Sequence, residues 1–323
     1  MKLKNQKIFV TGGAGFIGSN LVEELLKEKA KVVAYDNLSL GKREFLLPYF
    51  KNPNFKFIKG NLLDRKKLAK SIRGCHIIFH LAANSDIPYG IKYPKVELKN
   101  GTIATYNVLE AMRKNNIKKI VFASTSAIYG DRPKILPTSE DYGPLFPISF
   151  YGASKLASEG LISAFCHNFG FQAWIFRFAN VIGKNGTHGV AFDFIKKLKK
   201  NPKELEILGD GNQSKPYLYV KECVEGILYG IRKANEQLNY FNLSCSGAIK
   251  VKTIATIVVK EMGLKNVKFK YTDTKRGWSG DVPQVRLDPN KINKLGWKAK
   301  LTSDDAVKLG VRELVKQNIN PCR

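Results

Sequence analysis

The chain has 323 residues, 44% of them hydrophobic, and carries 54 Lys and Arg against 27 Asp and Glu, a formal net charge of +27 with a pI near 9.8. That length holds one large α/β domain plus a smaller one, and no apolar run approaches the roughly 18 residues of a membrane span. The lysines run from Lys2 to Lys316 without a long block, and Lys196-Lys-Leu-Lys-Lys200 and Lys298-Ala-Lys300 read as solvated faces. Net charge speaks to solubility and steering rather than fold, so no specific nucleic-acid partner is expected. Met1 to Lys7 resembles the start of a signal peptide, but glycines cut the apolar run behind it and no small-residue cleavage site follows. The five cysteines (Cys75, Cys166, Cys223, Cys245 and Cys322) are odd in number and scattered, which fits a reducing cytoplasm. With them the four histidines form no metal-ligand pattern, so no metal is expected.

Lys7-Ile-Phe-Val10 reads as a buried strand, and Phe16, Ile17, Leu21, Val22, Leu25 and Leu26 recur at helical spacing. Between them, Gly12-x-x-Gly15-x-x-Gly18 sits on a strand–turn–helix junction, the context of a dinucleotide fingerprint. Gly12 allows the tight turn, Gly15 a close approach of a pyrophosphate, and Gly18 the packing of helix on strand. The amides at the helix start then face phosphate charge. The next strand, Lys31–Asp36, ends in an acid about twenty residues on, where a ribose-binding carboxylate belongs. With no basic residue beside Asp36, NAD is favoured over NADP, whose extra phosphate a carboxylate repels.

Asn37 to Gly41 forms a polar turn suited to close over the ribose. Phe55–Ile58 is a third strand, and Asp64 caps the helix after it. His76–Ala83 reads as a fourth strand that runs into small residues, leaving room for a ligand at its carboxyl end. Thr102–Arg113 is helical, and Lys119–Ser124 is a fifth strand. A proline-rich loop spans Asp131 to Ser149, a helix Tyr151–Phe169, and a sixth strand Gln172–Arg177. The alternation predicts an α/β fold with a doubly wound, mostly parallel Rossmann sheet. Beyond Asn180, glycine-rich loops and short elements mark a smaller C-terminal α/β substrate-binding domain. The expected division is 1–177 for NAD and 178–323 for substrate, with 218–244 packing back on the first.

The strongest catalytic signal is Tyr151-Gly-Ala-Ser-Lys155. Residues four apart share a helix face, so the Lys155 ammonium is expected near the Tyr151 hydroxyl. A phenol of pKa about 10 is barely ionised at neutral pH, and a nearby cation lowers that value. Tyr151 is thus a candidate general base for a substrate alcohol.

With these residues the chain resembles the extended short-chain dehydrogenase/reductase family, and within it the nucleotide-sugar 4-epimerases. The likeness runs through Thr11-Gly-Gly-Ala-Gly-Phe-Ile-Gly18, Asp36-Asn-Leu-Ser39, His80-Leu-Ala-Ala83, Asn100 and Ser124-Thr-Ser-Ala-Ile-Tyr-Gly130. It continues through Tyr151-Gly-Ala-Ser-Lys155, Arg177-Phe-Ala-Asn180, Gly209-Asp-Gly-Asn-Gln213 and Leu295-Gly-Trp297. It implies that Thr125 hydrogen-bonds the reacting sugar hydroxyl, that Tyr151 is the base, and that Lys155 holds the nicotinamide ribose. It implies an NAD site lined by Gly12, Gly15, Phe16, Ile17, Gly18, Asp36, Asn37, Ser39, Gly41, Asn61, Leu62, Leu81, Ala82, Ala83, Asn100, Ser124, Tyr151 and Lys155. Asn61 replaces the usual adenine-contacting Asp, though its amide oxygen still accepts a hydrogen bond. On the substrate side it implies Ser126, Asn180, Val190, Lys215, Arg276 and Val285. Lys215 keeps the charge of the usual diphosphate-binding Arg but not its bidentate fork. The gate for bulky sugars falls near Val285, where a residue smaller than tyrosine admits an N-acetyl group.

Departures from the family narrow the reaction. Related sugar 4,6-dehydratases place Asp-Glu directly after the catalytic Thr, and nucleotide-glucuronate decarboxylases keep a Glu two positions after it. Here those positions are Ser126 and Ala127, so elimination lacks its acid–base partner. The expected activity is NAD-dependent inversion of carbon 4 of a UDP-hexose through a 4-keto sugar. The alternatives are a reductase or another nucleotide-sugar enzyme and, more remotely, a non-catalytic RNA-binding relative. The resemblance also implies a homodimer, built on helices near Thr102–Arg113 and Tyr151–Phe169.

Overall fold

Short runs of β-branched and aromatic residues pair into one seven-stranded, all-parallel sheet in the computed structural model, which describes residues 1–131, 135–272, 277, 282 and 284–319. In chain order the elements begin β1 (Lys7–Thr11), α1 (Phe16–Lys27), β2 (Lys31–Asp36), β3 (Phe55–Lys59), α2 (Arg65–Ser71) and β4 (Ile77–His80). Next come α3 (Ile87–Lys92), α4 (Pro94–Glu97), a π-helical segment Leu98–Ile103, α5 (Ala104–Lys114), β5 (Lys119–Thr125), α6 (Phe150–Phe169) and β6 (Gln172–Phe178). The C-terminal half adds β7 (Asn180–Ile182), α7 (Val190–Lys200), β8 (Glu204–Ile207), β9 (Ser214–Lys215), β10 (Tyr217–Tyr219), α8 (Val220–Lys233) and β11 (Leu238–Leu243). It ends with β12 (Ile249–Lys250), α9 (Val251–Glu261), β13 (Lys268–Tyr271), α10 (Asn290–Lys294) and α11 (Ser303–Ile319).

Side chains alternate across the sheet because successive Cβ atoms point to opposite faces. In β1, Ile8 and Val10 enter a core with Leu21, Leu25, Val224 and Ile227 of α1 and α8. Phe9 enters the opposite core with Val108, Met112, Ile162 and Cys166 of α5 and α6. Both faces are therefore covered, which is why the strands read as continuous apolar runs. The strand order is β11-β6-β5-β4-β1-β2-β3, so the direction of winding reverses between β1 and β4. Ligands of such sheets bind in the crevice outside the carboxyl ends at that reversal.

A separate core beneath α7, α9 and α11 gathers Ile182, Phe194, Leu198, Ile254, Val258 and Val311. β11 leaves this half and pairs in parallel with β6, from Leu238 opposite Ala173 to Leu243 opposite Phe178. The two halves are stitched beside the glycine turn. Asn20 Nδ2 donates to the Lys184 carbonyl at 2.9 Å, and Asn185 Nδ2 donates to Ser19 Oγ at 3.0 Å.

Two element readings are corrected. The fourth strand stops at His80, because its partner β1 ends at Thr11 opposite it and turns away at Gly12. Leu81 to Ala83 are coil, held instead by Thr11. The helix read as Thr102–Arg113 begins earlier: α4, the π-helical segment and α5 form one rod, with a wider turn spanning Asn100.

Candidate active site

The glycines stand where a side chain has no room. Gly12 has φ +67°, and a Cβ on it would come within 2.8 Å of the Ala82 amide nitrogen. A Cβ on Gly18 would stand 2.0 Å from the Gly12 carbonyl oxygen. Gly15 caps α1 without any side-chain capping bond, with Phe16 and Ile17 as the first helical residues. Asp36 sits opposite, only 8% exposed, and accepts from the Ala14 amide at 3.0 Å and the Leu38 amide at 2.8 Å. Burial raises its pKa, while those amides oppose the rise. The polar turn folds over it: Asn37 Oδ1 accepts from the Ser39 amide at 2.9 Å, and a Cβ on Gly41 would stand 2.9 Å from Asp36 Oδ2. Asn61 Oδ1 accepts from the Leu63 amide at 2.9 Å, which occupies one of its two lone pairs. Leu62 is buried behind it, its carbonyl taking a bond from Asn107 Nδ2 at 3.0 Å.

A buried polar string joins this turn to α6. Thr11 Oγ1 meets His80 Nδ1 at 2.7 Å, His80 Nε2 meets Thr105 Oγ1 at 3.0 Å, and Ser158 Oγ donates to Thr105 Oγ1 at 3.1 Å. Thr11 Oγ1 also accepts from the Ala82 amide at 3.2 Å, which fixes the small residues at the end of β4. His80 is wholly buried, and burial with the Lys155 charge nearby lowers its pKa to about 3. It is a neutral structural imidazole.

β5 delivers Thr125 and α6 delivers Tyr151 and Lys155 to one place. The Thr125 hydroxyl lies close enough to the Tyr151 phenol to favour its ionised form. Thr125 Oγ1 accepts from the Ala127 amide at 3.1 Å. Lys155 Nζ lies 5.9 Å from the centre of the Tyr151 ring and 4.6 Å from that of Phe122, and donates to the Ala123 carbonyl at 2.6 Å. The expected lowering of the Tyr151 pKa is corrected here. Burial and the Glu97 charge hold the phenol above its ordinary value, and the nearby Thr125 hydroxyl pulls against them. Burial outweighs the carboxylates around Lys155 and brings the ammonium down to about 8.

Beneath these residues lies a network that motif reading missed. Ser124 Oγ donates to Glu159 Oε1 at 2.5 Å, and Arg177 Nη2 donates to Glu159 Oε2 at 2.8 Å. Arg177 Nη1 donates to the Tyr129 hydroxyl at 3.0 Å and the Glu140 carbonyl at 2.7 Å. Glu159 follows Lys155 by one helical turn, so its place on that face is visible in the sequence. Arg177, a lone charge ending an apolar strand, was the other available signal.

On the substrate side, Ser126 and Val285 line one cavity with Tyr129, Thr138, Gln284 and Leu287. Asn180 opens β7, Val190 opens α7 behind Gly189, and Lys215 in β9 pairs with Ile249. Asn100 lies in the π-helical segment. Arg276 lies outside the described residues, as does Cys322.

A glycine turn at a strand reversal, a buried acid at the end of the next strand and a Thr–Tyr–Lys cluster on adjoining strand and helix ends define a Rossmann enzyme of the extended short-chain dehydrogenase/reductase type. The sequence profile of the NAD dependent epimerase/dehydratase family matches residues 8–244. A UDP-glucuronate 4-epimerase of Thermodesulfobacterium geofontis is 30% identical over 324 residues, which cover 96% of each chain. A crystal structure of UDP-galactose 4-epimerase superposes with a TM-score of 0.86 at 38% identity, covering 97% of this chain and 99% of the other. UDP-glucose 4-epimerase of Thermotoga maritima, solved with UDP-glucose, gives 0.86 at 31% identity, covering 97% and 100%. The chain belongs to the NAD dependent epimerase/dehydratase family. NAD is the cofactor of that family, and the residues present fit it: glycines that admit no Cβ at the turn, an uncapped helix start, and a buried acid with lone pairs to spare.

Proposed function

We propose that this protein is a nucleotide-sugar 4-epimerase that inverts carbon 4 of a UDP-hexose. The observation that carries the reading is the gathering of Thr125 at the end of β5 with Tyr151 and the buried Lys155 of α6, whose Nζ lies 5.9 Å from the centre of the Tyr151 ring. In this reading Gly12, Gly15 and the start of α1 hold the NAD pyrophosphate, Asp36 the adenosine ribose, and Lys155 the nicotinamide ribose. Residues 1–177, with 218–244, form the cofactor half, and 178–323 supply the nucleotide-sugar half. NAD held there would supply the hydride chemistry at carbon 4.

Everything else falls to this chain. Thr125 holds the sugar's fourth oxygen and Tyr151 exchanges the proton with it. Because burial raises the Tyr151 pKa, the free phenol resists ionisation; charge arriving with the bound cofactor must bring it into range. Ser126 and Ala127 offer no carboxylate to expel a leaving group, which favours epimerisation over elimination. Asn180 and Lys215 face the diphosphate, and Val285 forms part of the sugar wall. Leu98, Ile103, Tyr106, Phe150 and Phe169 stay exposed on the α4–α5 rod and α6, an apolar surface suited to pairing with a second copy.

The test is proton NMR of the purified protein with a panel of UDP-hexoses and no added cofactor. A new anomeric signal of the 4-epimer without net NADH supports the reading and names the sugar. No conversion of any UDP-hexose, with or without added NAD, sinks it.

A further inference from the structure

Glu97 is a buried acid to which the steps above give no role. Glu97 ends α4, is 1% exposed, and lies on the rod that packs against α6. Its Oε1 accepts from Asn84 Nδ2 at 2.7 Å, and its Oε2 is buried with no hydrogen-bond partner. Asn84 is itself locked to Asp86, donating to its carbonyl at 2.9 Å and accepting from its amide at 3.3 Å. Two glycines permit the close packing. A Cβ on Gly90 would stand 2.3 Å from Glu97 Oε1, and one on Gly101 would stand 2.5 Å from Ser154 Oγ of α6.

The charges of this core do not balance without Glu97. Arg177 and Glu159 neutralise one another at 2.8 Å. Lys155, 3% exposed, donates to a neutral carbonyl and lies over the Phe122 and Tyr151 rings, without a salt bridge among the described residues, and His80 near it is uncharged. A buried ammonium without a counter-charge costs several kcal/mol or gives up its proton. Glu97 and Glu159 both favour the ammonium, and of the two Glu159 is already paired with Arg177.

We propose that Glu97 is a positioning residue for the catalytic pair: its carboxylate is the counter-charge that keeps Lys155 an ammonium and sets the pH window in which Tyr151 exchanges its proton. The proposal rests on the 4-epimerase reading for its kinetic consequence. Glu97 favours the protonated form of both Tyr151 and Lys155, and Lys155 in turn opposes the burial that raises Glu97. The other facing groups are Asp86, which raises Glu97; Glu159, which favours charged Lys155; and Thr125, which opposes Glu97 at Tyr151.

The experiment is the pH profile of kcat for wild type and E97Q, each with its bound cofactor. Loss of one negative charge lowers both values, so both limbs move toward acid by about half a pH unit or more, and at fixed pH on the acid limb E97Q gains about threefold relative to its own optimum. A lower kcat with both limbs in place overturns the proposal. If wild type turns over no nucleotide sugar, the functional reading fails, and NMR of protein carrying 13Cζ-tyrosine decides the electrostatic claim. There the Tyr151 signal, assigned with Y151F, must titrate at lower pH in E97Q; coincident curves overturn it. If E97Q does not fold, N84A removes the donor that stabilises the ionised carboxylate and must move the limbs the same way by less. Unmoved limbs in N84A overturn the proposal too.

Discussion

Glu159 on α6 and Arg177 at the end of β6 form a buried pair, 2.8 Å apart, and the same carboxylate takes the hydroxyl of Ser124, the residue before Thr125. The strand end that carries Thr125 is thus bolted to the helix that carries Tyr151 and Lys155. Removing one partner of such a pair strands a charge in the core, which costs about 3–5 kcal/mol. R177M is therefore expected to lose that much stability in urea unfolding with cofactor saturating. A loss under about 1 kcal/mol would show the pair to be dispensable.

Y151F keeps the ring and removes the hydroxyl beside Thr125. Loss of a positioned general base typically costs about 10² to 10⁴ in rate. We expect kcat to fall within that range while bound NAD is retained, measured by releasing the nucleotide from denatured protein. An undiminished kcat would move the base elsewhere.

D36A should separate binding from chemistry in the opposite way. Asp36 holds the Ala14 and Leu38 amides, and in the proposed reading its remaining lone pairs take the ribose. The variant is expected to be purified with little NAD and to recover turnover when NAD is added in excess. Full retention of NAD would remove Asp36 from the cofactor site.

His80 makes stability depend on pH with a definite sign. Its pKa falls from 6.5 in a free side chain to about 3 when folded, so the unfolded chain binds the extra proton between those values. The contribution is complete above about pH 6.5 and is lost, at up to about 1.4 kcal/mol per pH unit, as pH falls toward 3. Urea midpoints at pH 7.5 and 5.0 should differ more for wild type than for H80Q. Equal pH dependence in the two proteins would refute the assignment.

Val285 shares a cavity with Ser126, next to the catalytic threonine. If this wall admits an N-acetyl group, V285Y should lose activity on N-acetylated UDP-hexoses selectively, by about tenfold or more in kcat/KM. Equal losses on both sugar classes would show that Val285 does not gate.

The sequence alone determined the parts of this protein that depend on local spacing. Strand and helix periods, the glycine turn that excludes Cβ atoms, and the Tyr151–Lys155 face all follow from residues within one or two turns of each other. The tertiary structure alone decided what depends on distant neighbours. That the phenol is raised rather than lowered comes from burial and from Glu97, an acid in the unremarkable stretch Lys95-Val-Glu-Leu-Lys99. The early end of β4 was set by its partner strand, and the start of the rod at Pro94 lay beyond the reach of apolar periodicity. Nor does any local pattern bring Arg177, Tyr129 and Glu140 together beneath Ser124 and Glu159. Periodicity reports which way a side chain faces; charge, burial and pKa belong to whatever the fold places opposite it.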